Sequence, residues 1–242
     1  MDYDMKKTIS KMLTACLAVL LGVSCTSSDA SARSEYWHQR VSLFDSIPVE
    51  PGDIVFLGNS ITDGGEFQEL LGVENVKNRG IQGDVVDGVL ERLSQVTKGA
   101  PSKIFLLIGI NDVSHALSAQ KIASKYDELV KRIRKETPST TLYIESVMPV
   151  NNDFRRYKNL IGREQVIPEL NNLLRDIAAD NGCVYIDLWP VFADEQGKMK
   201  KKYTNDGLHL LGAGYKAWAE ALRPYIEEDS PVVDLPDSSE NL

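Results

Sequence analysis

Cysteine is nearly absent from this chain. Of its three cysteines, Cys16 and Cys25 fall in the first 25 residues, which leaves Cys183 alone for the rest. One thiol closes no internal disulfide, so the fold is expected to rest on its core, and Cys183, inside an apolar run, reads as a buried core residue. No apolar run is long enough to stay in a bilayer as a permanent helix. A basic excess is missing too. The 242 residues carry a formal charge of −8, and residues 26–226 hold 24 basic against 27 acidic side chains. That speaks against a nucleic-acid partner, which needs a basic face. Residues 227–242 hold six acids and no base and read as a solvated, disordered tail over 229–242. Histidine is scarce: His38 and His115 join His209 at no metal-ligand spacing, which argues against a metal site; no organic cofactor is implied either.

The N-terminus reads as a targeting segment. Lys6, Lys7 and Lys11 form a basic region, Met12 to Val23 a short apolar stretch, and Ser24 a small residue before Cys25. That is the layout of a secretory signal. Leu21-Gly22-Val23-Ser24-Cys25 looks like a bacterial lipobox, in which the cysteine is acylated and becomes the first mature residue; the alternative is ordinary signal cleavage nearby. The expectation is a protein exported to the periplasm or cell envelope and held at a bacterial membrane through its lipid only. Residues 26–50 then read as a polar tether and a helix, since Trp37, Val41 and Phe44 fall at i, i+4 and i+7 and Pro48 and Pro51 end the pattern. That helix is expected to pack against the domain rather than do chemistry.

Residues 51–228 read as one domain. Strand-like runs at Ile54–Leu57, Val73–Lys77, Ile104–Ile108, Leu142–Val147 and Val184–Leu188 alternate with helical segments near 64–71, 84–95, 119–136, 168–180 and 212–226. Such alternation predicts a parallel sheet with right-handed crossovers and helices on both faces. Pro168 suits a first helical turn, and Asn181-Gly182 a helix C-terminus.

Reactive groups on such a sheet sit on loops at the carboxyl ends of strands. Four polar clusters fall there. Gly58-Asn59-Ser60 follows the first strand, and a serine at a helix N-terminus offers a hydroxyl and a free N–H, or is simply a cap. Asn78 to Asp84 contains Gly80 and Gly83, which permit close backbone approach. Gly109-Ile110-Asn111-Asp112 either aims an amide into the same cleft or closes a local Asx turn. Asp206-Gly207-Leu208-His209 spaces a carboxylate to orient an imidazole, or is a capping pair.

Together, in this order, the four blocks resemble the SGNH, or GDSL-like, hydrolase family from about Asp53 to Ile226. Phe56-Leu-Gly-Asn-Ser-Ile-Thr62, Met148-Pro-Val150 and Tyr203 to Leu210 are most similar to platelet-activating-factor acetylhydrolase-like and sialate O-acetylesterase-like members. The resemblance implies a flavodoxin-like three-layer α/β/α sandwich with a five-stranded parallel sheet. It implies Ser60 as nucleophile, His209 and Asp206 as base and orienter, and an oxyanion hole of Ser60 N–H, Gly83 N–H and the Asn111 side chain. Asn59 stands where the family's name-giving motif has aspartate. The function so implied is a serine esterase, with short acyl groups, above all acetyl, expected from the polar loops 149–166 and 189–206. A sugar hydroxyl of a glycan would suit an exported enzyme. A lysophospholipase or thioesterase with a longer acyl pocket, and a non-catalytic glycan-binding module, are the alternatives. Two basic groups remain without a role: Lys198–Lys202, read as a solvated loop, and Arg155, Arg156 and Lys158, candidates for the cleft wall.

Overall fold

The structure is a computed structural model and describes residues 33–228. The signal, the lipobox cysteine, most of the tether and the acidic tail lie outside the described residues. The chain opens with α1 (Glu35–Ser46), β1 (Ile54–Gly58), α2 (Ser60–Asp63), α3 (Phe67–Leu71) and β2 (Val76–Gly80). It continues through α4 (Val86–Arg92), α5 (Ser94–Thr97), β3 (Lys103–Leu107), α6 (Ile110–Ser114), α7 (Ala119–Glu136) and β4 (Thr141–Glu145). It closes with α8 (Val166–Asp180), β5 (Val184–Ile186), α9 (Trp189–Phe192) and α10 (Gly212–Glu227). The five strands form one sheet in the order β2-β1-β3-β4-β5, every neighbouring pair parallel.

The register explains the core. Phe56, Phe105 and Tyr143 are direct partners across β1, β3 and β4, and their rings stack at 5.0 and 4.4 Å. Phe67 of α3 stacks on Phe56 at 3.9 Å, and Trp218 of α10 meets Phe67 edge-on at 5.0 Å. Such pairs contribute about 0.5–1.5 kcal/mol each beyond the area they bury. Beneath Trp218, its indole N–H donates to the Glu145 carboxyl at 2.5 Å. Glu145 is wholly buried, and burial pushes its carboxyl up to about 8 against the smaller opposing effect of the Trp218 bond.

The N-terminal helix packs as its spacing predicts. Phe44 and Trp37 are buried with Ile81, and the guanidinium groups of Arg40 and Arg79 lie over the Phe44 ring, 4.6 and 4.7 Å from its centroid. The second strand differs from the expectation. It runs Val76–Gly80 rather than Val73–Lys77, because Gly72 ends α3 in the left-handed region and the following residues turn. β2 is an edge strand, and its Asn78 and Arg79 find polar partners outside the sheet. Asn78 donates to the carbonyls of Thr62 and Gly65, and Arg79 donates to that of Ile47. The expected helix 84–95 is broken into α4 and α5, and 64–71 shortens to α3. Cys183 packs against the core but is only partly buried, with its thiol pushed up to about 11 by what burial it has.

Candidate active site

The sheet register brings three loops to one place. Gly58 at the end of β1 pairs with Gly80 of β2 on one side and Leu107 of β3 on the other. The chain runs from β1 out to β2 and returns to the far side of β1 as β3, so the loops after all three strands open on one crevice. Gly80 is needed for this approach, since a Cβ there would lie 2.2 Å from the Asp63 backbone nitrogen.

Ser60 is the first residue of α2, where helical N–H groups lack intrahelical partners. Asn59 caps that helix, its side-chain oxygen accepting from Ile61 N at 3.0 Å. Asparagine caps as well as aspartate does, so the departure from the family's motif keeps this cap. Gly83 sits at φ +78° in a turn closed by Asp84 N donating to Ile81 O at 3.1 Å. Asn111 reaches across to that turn rather than back onto its own strand: its amide donates to the Asp84 carbonyl at 2.8 Å and retains a second hydrogen. Beside it, buried Asp112 accepts from Val86 N at 3.2 Å, and burial lifts its carboxyl to about 6.

The fourth block arrives from the other end of the chain. The Asp206 carboxylate accepts from Leu208 N and His209 N through Oδ1, both at 2.8 Å, and faces His209 Nδ1 through Oδ2 at 2.8 Å. Burial alone would raise Asp206, but its bonds from His209, Leu208 and Tyr157 together hold it well below the usual carboxylate range. With a proton on Nδ1, the other ring nitrogen accepts, and Nε2 lies 3.0 Å from Ser60 Oγ. A carboxylate, an imidazole and a hydroxyl so joined can move a proton from hydroxyl to ring.

Ser60, Gly83, Asn111 and His209 border one cavity of about 520 Å³. Asp206 stands behind His209. Arg156 and Lys158 also border the cavity, and Arg155 does not. Lys198 instead pairs with Asp153 at 2.7 Å, Lys200 donates to the Val191 carbonyl, and Lys202 lies over the Tyr203 ring. None of that basic run borders the cavity. Among the described residues, no three His, Cys, Asp or Glu side chains converge as metal ligands would.

One site residue escaped the sequence. Tyr157 donates to Asp206 Oδ2 at 2.8 Å, lies 2.9 Å from His209 Nδ1, and meets the imidazole edge-on. Its hydroxyl is pushed up to about 12, by burial first and by Asp206 second. The loop that carries it is pinned under the Asp206 turn, with Asn151 N donating to Gly207 O at 2.8 Å. A lone tyrosine between Arg156 and Lys158 carries no spacing signal that points to residues 49 and 52 positions away.

Comparison with known proteins agrees with this geometry. The chain is 30% identical to a Streptococcus pneumonia structure described as a platelet activating factor, with a TM-score of 0.71 over 79% of this chain and 91% of that one. A variant of an acetyl-xylooligosaccharide esterase from Geobacillus Stearmophilus shares the fold at 18% identity, with a TM-score of 0.60 over 75% of this chain and 96% of that one. An Escherichia coli O18:K1:H7 N-acylneuraminate cytidylyltransferase is 28% identical over 177 residues, which are 71% of this chain. The chain spans only 39% of that protein's length. The model of the GDSL-like Lipase/Acylhydrolase family matches residues 56–217. The chain belongs to the GDSL-like lipase/acylhydrolase family and is a carboxylic ester hydrolase.

Proposed function

We propose that this chain removes short acyl groups, above all acetyl, from hydroxyls of a hydrophilic alcohol such as a glycan. The observation that carries the reading is the 3.0 Å approach of Ser60 Oγ to His209 Nε2 on a cavity bordered by polar as well as aliphatic residues. His209 takes the Ser60 proton as Oγ attacks the ester carbonyl. The carbonyl π pair moves onto oxygen, where Ser60 N–H, Gly83 N–H and the Asn111 amide meet it. Each such donor is worth about 10²–10³ in rate. As the carbonyl re-forms, the bond to the alcohol oxygen breaks and His209 returns the proton to that oxygen. Water attacks the acyl-serine by the same route and releases the acid.

The short-acyl reading rests on what walls the cavity. Leu160 and Leu208 are its aliphatic residues, whereas Gln82, Ser114, Arg156 and Asn159 present polar groups. Removing a long acyl chain from water needs a wider apolar surface, since each methylene contributes about 0.8 kcal/mol only when buried. The sugar-linked names among the similar proteins support a sugar alcohol. The test is kcat/KM on p-nitrophenyl acetate, butyrate and octanoate. A steady fall is expected, and a rise toward octanoate would transfer the assignment to a lysophospholipase or thioesterase. We also place the enzyme in the cell envelope through acylated Cys25, on the pattern of residues 1–25. The precursor should then partition to membranes and Cys25→Ser should be released; equal partitioning refutes the anchor.

A further inference from the structure

One buried charge away from the cavity connects every part of the proposed oxyanion hole. Arg92, the last residue of α4, points its Nε at Asp84 Oδ2 across 2.8 Å, and both side chains are fully inaccessible. Its Nη2 donates to the Gly58 carbonyl at 3.1 Å, two residues before Ser60. The same carbonyl accepts from Ile81 N at 3.1 Å, at the start of the turn that holds Gly83. Asp84 closes that turn through its own N–H and accepts from the Asn111 amide through its carbonyl at 2.8 Å. Ser60, Gly83 and Asn111 come from the loops of three different strands. A single guanidinium reaches the frame of all three, two of them directly and the third through Asp84.

Holding α4 in place does not require this. Withdrawing a guanidinium and a carboxylate from water is costly, and an apolar pair of the same volume commonly packs as well or better. What an apolar pair lacks is a planar group with donors fixed in two directions, able to set one loop at a defined distance from another. Among the described residues, the third nitrogen, Nη1, has no hydrogen-bond partner, and the Phe44 ring centroid lies 6.0 Å from Cζ.

We propose that Arg92 is a positioning residue for the oxyanion hole. It fixes the spacing between the Ser60 N–H on one side and the Gly83 N–H with the Asn111 amide on the other, before substrate arrives. The proposal rests on the serine-ester reading. It predicts a loss felt where the oxyanion forms and not in ground-state binding.

Arg92→Lys keeps the charge and loses the two-directional donor. On p-nitrophenyl acetate it should lower kcat about 10- to 100-fold, the scale of a misplaced donor, with KM changed less than about threefold. Turnover is expressed per active site titrated with a fluorophosphonate, so a smaller folded fraction does not register as lower kcat. Asn111→Ala alone should cost about 10²–10³, and on that background Arg92→Lys should cost less than it does in the parent, because one of the three donors that Arg92 spaces is gone. If Arg92→Lys does not fold, Arg92→Gln with Asp84→Asn removes both charges and carries the same readouts. Unchanged kcat per titrated site, or an undiminished loss on the Asn111→Ala background, would overturn the proposal. Wild-type turnover in Ser60→Ala would instead overturn the serine-ester reading, and the proposal with it.

Discussion

The two halves of the site are held in different ways. Ser60, Gly83 and Asn111 stand on short connections directly above the sheet, and the groups that fix them, Gly58, Asp84 and Arg92, are buried. Asp206 and His209 stand on a turn that retains side-chain exposures of 21% and 32%, and a polar surface loop supplies the support of Tyr157. The side proposed to bind developing charge is preset by backbone and core. The side proposed to move the proton is set by side-chain hydrogen bonds at the surface. Charge stabilisation tolerates little displacement of its donors, whereas a proton relay needs its groups only within hydrogen-bond reach.

The first way to break this contrast is through Tyr157. Its hydroxyl supports the Asp206–His209 pair from outside the 204–209 turn. Tyr157→Phe keeps the ring against His209 and removes the donor. One hydrogen bond to a partly exposed charged group contributes about 1 kcal/mol, so kcat/KM should fall about fivefold. A drop as large as that expected for an oxyanion donor would show that the base side is as tightly preset as the other.

A smaller effect on turnover, and a larger one on stability, is expected from the sheet itself. Glu145 is buried with its carboxyl raised to about 8 from 4.5, so the folded state favours its protonated form. That contribution is fully present below the unfolded value. It is lost as pH rises from about 4.5 to about 8, with a slope of at most about 1.4 kcal/mol per pH unit. Glu145→Gln should flatten the stability curve over that window and be more stable than the parent at pH 8, measured by urea midpoints at pH 5 and pH 8. kcat/KM should stay unchanged, because Glu145 lies under Trp218 and not at the cavity.

Legibility in the sequence followed the same division. The blocks of Ser60, Gly83, Asn111 and Asp206–His209 each lie at a strand end or before the last helix, so chain order located them, and the structure gathers them as the family resemblance implied. β1, β3 and β4 were legible within two residues because both their faces are covered and their runs are apolar. β2 was misplaced because an edge strand can carry Asn78 and Arg79, whose partners are carbonyls distant in sequence. Tyr157 and Arg92 were missed for one physical reason: each is defined by what it touches across the fold, and an isolated tyrosine or a helical arginine reads as an ordinary surface residue. Arg92 is the sharper case, since its helix ends inside the core.

The claim on which the rest depends is that Ser60 Oγ is the attacking atom. Hydrolysis of p-nitrophenyl acetate by folded Ser60→Ala tests it directly. The account predicts a loss of at least about 10³-fold in kcat, with the Tm held near that of the parent. Retention of most of the parent's turnover would contradict it.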